Sequence, residues 1–115
     1  MTIGPRTART VAEDVAAEAI HSGDRVYVQG GCATPVPLLT ALTRRAPELR
    51  DVEVVSLHTE GSAPHTDPTV TGHIRHNALF IGSNVRDAVN EGRADFTPVF
   101  LSDIPGLFRS ALPID

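Results

Sequence analysis

Glu60, in the run Thr59-Glu60-Gly61-Ser62, is the first candidate for chemistry. A Glu withdrawn from water serves as a base or a nucleophile. Ser62 has no His-Asp partnership readable at this spacing, so its hydroxyl reads as a ligand contact or a loop cap. Gly30-Gly31-Cys32-Ala33-Thr34-Pro35 joins an expected strand to an expected helix start. Free backbone N–H groups there favour an anion or a developing oxyanion, and glycine lets the backbone come close. The spacing is not that of a dinucleotide loop, and a plain tight turn is the competing reading. Cys32 lies where a helix start lowers a thiol's pKa, which suits a nucleophile or redox group. A phosphatase loop would need arginine six positions on, where Leu38 stands, and a small buried residue in a turn is the simpler reading. His58, His65, His73 and His76 share one stretch with Glu60 and Asp67, so a metal site is conceivable, although no H-E-x-x-H spacing occurs. His73 and His76 could share a helical face, while solvated loop histidines are the alternative. Arg75, Arg86 and Arg93 are candidates to grip a carboxylate or phosphate, Arg86 foremost because it falls at a helix start.

The composition narrows this chemistry. The chain has 115 residues, 10 basic against 14 acidic, for a net charge of −4. All the basic residues are arginine. Schiff-base lysines and Walker-type phosphate loops are thereby excluded, and a nucleic-acid partner is not expected. Cys32 is the only cysteine, which excludes intrachain disulfides and thiolate zinc clusters and fits a reducing, cytoplasmic compartment. No run reaches the ~20 apolar residues of a membrane span, and residues 1–10 lack the apolar stretch of a signal peptide, so no membrane partner is expected. The length suits one domain, residues 1–115.

The elements that would position these groups follow from periodicity. Thr10 to Glu13 has capping-box spacing ahead of a helix over about 11–21. Ser22-Gly23-Asp24 ends it, and Arg25–Gln29 reads as a strand. Thr34-Pro35 caps a second helix with an apolar stripe of Val36, Leu38, Leu39 and Leu42, ending near Arg45 to Pro47. Val52–Leu57 is a second strand, and residues 58–72 form a long loop of the functional or mobile kind. Ala78–Ile81 reads as a third strand, and Ser83 as the cap of a helix that closes at Gly92. Phe96–Leu101 reads as a fourth strand, and Ser102 as the cap of a last helix bearing Leu107, Phe108 and Leu112. This order predicts an α/β fold, an open and mainly parallel sheet with helices on both faces. Ligands in such sheets sit beyond the strands' carboxyl ends, here residues 30–35, 58–63 and 82–86.

From Gly23 onward the sequence resembles the N-terminal domain of the acetyl-CoA hydrolase/transferase family, the family I CoA-transferases. The resemblance is carried by Ser22-Gly23-Asp24, by Gly30 to Pro35, by the Leu38–Arg45 helix, by Ser56-Leu57-His58-Thr59-Glu60-Gly61, by the run Phe80 to Pro98 and by Leu101 to Pro105. It implies the first, apparently truncated domain of a CoA-transferase. The reaction it implies runs through an acyl anhydride and a glutamyl-CoA thioester, with the nucleophilic glutamate outside this chain and Glu60 a secondary candidate. It also implies coenzyme A as substrate rather than bound cofactor, and an acyl-CoA and a small carboxylate such as acetate or 4-hydroxybutyrate as ligands. A missing C-terminal half or partner chain follows, with homo-oligomers possible. Gly30, Gly31, Pro35, Gly61 and Ser62 resemble the family's cleft-facing residues, with Arg86 beside them. A hydrolase piece, or a noncatalytic module keeping an acyl-CoA or carboxylate pocket, is the alternative.

Overall fold

A computed structural model of the chain describes residues 8–115, so the first seven residues of the stretch read as free of a signal peptide lie outside the described residues. Strands β1 (Arg25–Tyr27), β2 (Val52–Ser56), β3 (Ile74–Ala78) and β4 (Asp95–Phe96) form one sheet in that order, every pair parallel. Helices α1 (Glu13–Ala17), α2 (Val36–Arg44), α3 (Arg86–Asn90) and α4 (Ile104–Arg109) connect or flank them. The open parallel α/β architecture is as expected from the alternation of elements.

The two sheet faces differ in chemistry because side chains alternate along a strand. Val52 and Val54 of β2 and Ile74 of β3 share one face, and with Val28, Leu39, Leu42, Ala46, Leu49 and Val70 they form the core against α2. On the opposite face Phe108 of α4 packs on Tyr27, ring centroids 5.2 Å apart. That face also carries a polar ladder across β1, β2 and β3 that ends on Thr97, one residue past β4. Glu53 accepts from Arg25 Nε at 2.7 Å and from Asn77 Nδ2 at 2.9 Å, and Asn77 Oδ1 accepts from Thr97 Oγ1 at 2.8 Å. Both carboxylate oxygens of Glu53 and both polar atoms of the Asn77 amide are partnered, which is the condition for tolerating such groups in a sheet.

Several boundaries differ from the sequence reading. The first helix is five residues, with extended Ala12 at its start and no capping side chain, so the Thr10 box does not form. Val36 and Leu38 are exposed at 39% and 43%; Ala41 takes the buried position beside Leu39 and Leu42. Ser83 and Ser102 cap nothing, and Val85 and Asp103 precede α3 and α4 without side-chain caps. The third strand lies at Ile74–Ala78, four residues before the expected Ala78–Ile81. Its polar His76 and Asn77 disguise it, because each finds a buried partner. The fourth strand is cut to two residues, since Pro98 has no N–H to donate to a ladder. The 58–72 loop is neither open nor featureless. It holds two 3-10 turns, Pro64–Thr66 and Pro68–Val70, and buries Ala63, His65 and Val70.

Candidate functional site

The carboxyl ends of β1, β2 and β3 lead into three loops, and hydrogen bonds draw the loops together. Gly31 N–H donates to His58 O at 2.8 Å, joining the first loop to the second. The Thr34 hydroxyl donates to Gly31 O at 2.8 Å and accepts from Glu60 N–H at 3.2 Å. From the third loop, Asn84 Nδ2 donates to Thr59 O at 2.7 Å and to Gly61 O at 2.9 Å. Glycine is required at the junction. A Cβ on Gly30 would lie 2.6 Å from His58 O, and Gly31 sits at φ +59, where side chains are strained. The three segments expected at the ligand edge of the sheet are thus one continuous rim.

Glu60 stands on this rim, exposed, with a carboxylate oxygen 3.0 Å from His58 Nε2. The His58 ring packs against Phe80, centroids 5.6 Å apart. Phe80 in turn lines an open apolar groove of about 690 Å³ with Leu79, Ile81, Phe96, Pro98 and Phe100. Gly30, Gly31 and Pro35 lie in the first loop, and Gly61 in the second meets the start of α2, where its Cβ would be 3.4 Å from Val36 Cγ2. Ser62 is exposed one residue on. Arg86 is exposed at the first residue of α3, two positions past Asn84, and makes no ion pair among the described residues. Cys32 is exposed, which corrects its reading as a small buried turn residue.

The remaining candidates serve the fold. Arg75 is bound through Nε and a second guanidinium nitrogen to Asp95, at 2.6 and 2.8 Å, and holds that carboxyl below its ordinary range. Arg93 bonds Glu91 and the Thr66 carbonyl, so neither arginine is available to a ligand as it stands. The histidines part company. His73 bonds Leu49 O, while His65 and His76 are buried at 0% and 2% exposure and bond one another, Nε2 to Nδ1, at 2.9 Å. The solvated-loop reading therefore fails for these two, and His76 lies on a strand rather than sharing a helical face with His73. Burial pushes both down, His65 to about 3 and His76 to about 4, with mutual repulsion adding to the His65 shift. Among the described residues no three of His, Cys, Asp and Glu are placed to share a metal ion.

Thr34 and Asn84 tie the rim together through side-chain bonds that sequence reasoning missed. In the sequence Thr34 has the chemistry of a helix cap, but Pro35 occupies that place and the hydroxyl ties two loops instead. Asn84 follows Gly82-Ser83 in a turn, and an Asn in a turn is prone to side-chain bonding to backbone, which is the available clue.

Residues 7–113 match the model of the acetyl-CoA hydrolase/transferase N-terminal domain. A succinyl-CoA:acetate/propanoyl-CoA:succinate CoA transferase of Fasciola hepatica is 45% identical over 78% of this chain and 19% of its own length. A 4-hydroxybutyrate coenzyme A transferase of Clostridium kluyveri is 37% identical over 93% of the chain and 25% of its own. The crystal structure of RipA from Yersinia pestis superposes with a TM-score of 0.77 at 20% identity, over 91% of this chain and 27% of that one, and shows the fold alone. The chain thus spans about a fifth to a quarter of the curated relatives it matches. With nearly all of its residues matched in order, this chain belongs to the acetyl-CoA hydrolase/transferase family, as its N-terminal domain.

Proposed function

We propose that this chain is the N-terminal part of a CoA-transferase that moves CoA between an acyl-CoA and a small carboxylate, with the nucleophilic glutamate supplied from outside these residues. The carrying observation is the rim formed by the 30–34, 58–62 and 82–86 loops at the carboxyl edge of the sheet. In the family's chemistry a glutamate oxygen attacks the thioester carbonyl and CoA thiolate leaves, giving an acyl anhydride. The thiolate then attacks the glutamyl carbonyl and expels the first carboxylate, giving glutamyl-CoA. The acceptor carboxylate attacks that thioester and expels CoA thiolate, giving a second mixed anhydride. The thiolate attacks the acceptor's acyl carbonyl, the anhydride C–O bond breaks, and the new acyl-CoA leaves with the glutamate carboxylate regenerated. In hydrolase members water takes the acyl group. Here Gly30, Gly31, Pro35, Gly61 and Ser62 shape the pocket by close packing and backbone donors, and exposed Arg86 offers a bidentate grip on a carboxylate. The compartment is the cytoplasm, consistent with a lone free thiol; among the described residues no helix is long and apolar enough to cross a membrane.

Exchange of label between radioactive acetate and acetyl-CoA is the test. The 115-residue chain is expected to give no sustained exchange, and exchange is expected when a polypeptide carrying the rest of the family sequence is supplied. Silence in the second case overturns the transferase reading and favours a noncatalytic module. Sustained exchange by the chain alone would move the nucleophile into it, and Glu60→Gln would then be the first variant to make.

The partner surface is proposed at the far edge of the sheet. Phe80, Phe96, Phe100 and Leu101 are 56%, 48%, 79% and 68% exposed around the β4 end, a large apolar cluster for one small domain. Among the described residues β4 is also an unpaired sheet edge. The isolated chain is expected to associate above micromolar concentration, and Phe100→Ser to shift its sedimentation toward the monomer. Sedimentation as a monomer for both forms, independent of concentration, would remove this surface from consideration.

A further inference from the structure

We propose that Asn84 is a positioning residue whose amide sets the conformation of the Glu60 segment in the ligand pocket before substrate arrives. The inference rests on the CoA-transfer reading of that pocket and adds a residue to it. One nitrogen, Nδ2, gives its two hydrogens to the carbonyls of Thr59 and Gly61, at 2.7 and 2.9 Å, so Glu60 is bracketed on both sides. Its own N–H is taken by Thr34 Oγ1 from the first loop. Such a clamp matters here because Gly61, held at φ +86, is a residue with more backbone conformations open to it than any with a side chain. The geometry also selects the residue type. Two carbonyl oxygens demand two donors on one atom, and a side-chain amide nitrogen is the short group that supplies them. An aspartate has the same shape, but ionised it can only accept, so it would face both carbonyls with repulsion. Protonated, it recovers one donor. The amide oxygen lies close to Gly82, where an added Cβ would come within 3.2 Å of it, so glycine there leaves room for the amide in this orientation.

Two readouts on wild type, Asn84→Asp and Asn84→Ala test this. The first is hydrogen exchange at the Glu60 and Gly61 amides of the full chain, which needs no activity. At about pH 8 both variants are expected to lose roughly 10-fold or more of the Glu60 protection factor. At about pH 5.5 Asn84→Asp is expected to regain several-fold while Asn84→Ala does not, because carbonyl neighbours raise the carboxyl's pKa and its acid form donates. The second is kcat/KM for label exchange once the remaining family sequence is supplied, expected to fall about 10- to 100-fold with the same acid recovery in Asn84→Asp. Unchanged Glu60 protection in Asn84→Asp at the higher pH overturns the clamp, and so does acid recovery that Asn84→Ala shares. If Asn84→Asp fails to fold, the loss of protection in Asn84→Ala decides. Lost protection in a preparation whose wild type exchanges no label supports the clamp and sinks the transferase reading, so the two failures are distinct.

Discussion

Gly30→Ala is expected to destabilise the chain by about 2 kcal/mol and to lower Tm by roughly 8 °C. The added methyl carbon would sit 2.6 Å from His58 O, 3.1 Å from His58 N and 3.2 Å from His58 C. All three are backbone atoms of a loop anchored at both ends, so no side-chain rotation relieves the contact. The loops must part, and the 2.8 Å bond from Gly31 N–H to His58 O goes with them. Losing a hydrogen bond of that kind costs about 1 kcal/mol, and crowding a packed site costs ~1 to 3. The functional effect is expected to exceed the effect on stability. A displacement near 1 Å at a pocket wall lowers turnover by about 100-fold, so label exchange should fall by that order in the assembled protein even below the melting range. Gly106→Ala in α4 is the matched control: its Cβ would meet nothing within 4 Å, and alanine favours a helix, so its melt is expected at or above that of wild type. Equal melting curves for Gly30→Ala and Gly106→Ala, with the Gly31 amide still protected, would refute the close-approach argument.

The alternation of helix and strand patterns was enough to read the architecture and the three loops at the ligand edge. Those signals are local: an apolar run between turn residues, a glycine pair after a strand, a Gly-Asp stop after a helix. What escaped was decided by partners far along the chain. The third strand reads as loop because His76 and Asn77 are polar, yet His65 and Glu53 satisfy them across 11 and 24 residues. Ser83 and Ser102 have capping chemistry, but the helices begin two to three residues later, where no side chain caps them. At the site, the types and order of Gly30, Gly31, Glu60 and Gly61 were legible, whereas the ties made by Thr34 and Asn84 required knowing which loop lies beside which. Cys32 shows the limit of a type-based prior: free cysteines are usually buried, and this one sits on a loop whose packing is taken up by Gly30.

Acid is expected to unfold the chain from the His65–His76 pair outward. The two rings are wholly buried and share one hydrogen bond at 2.9 Å, so a single proton lies between the facing nitrogens. His65 Nδ1 is buried with no partner, and protonating that ring would place an N–H there with nothing to accept it. Both rings are therefore held neutral, with pKa values near 3 for His65 and 4 for His76 against 6.5 for a free imidazole. Between those values the unfolded chain binds more protons than the folded one, so stability rises with pH across that window. The contribution is complete above about pH 6.5, drains as pH falls, and is exhausted below about pH 3, where both states are protonated. By about pH 4.5 each ring is expected to have removed roughly 2 kcal/mol, a large share of the ~5 to 15 kcal/mol that holds a domain together. The Arg75–Asp95 pair loses strength only at lower pH, because Asp95 titrates below its ordinary value of 3.8. Denaturant titrations at about pH 7.5 and about pH 4.5 measure the difference directly. The double variant His65→Leu with His76→Leu removes both polar rings together, which is nearly neutral when the shapes suit, and should abolish most of the pH dependence in this window. His65→Leu alone strands His76 Nδ1 and is expected to cost about 1 to 3 kcal/mol at neutral pH. A double variant that loses stability in acid as steeply as wild type would show that other groups carry the titration.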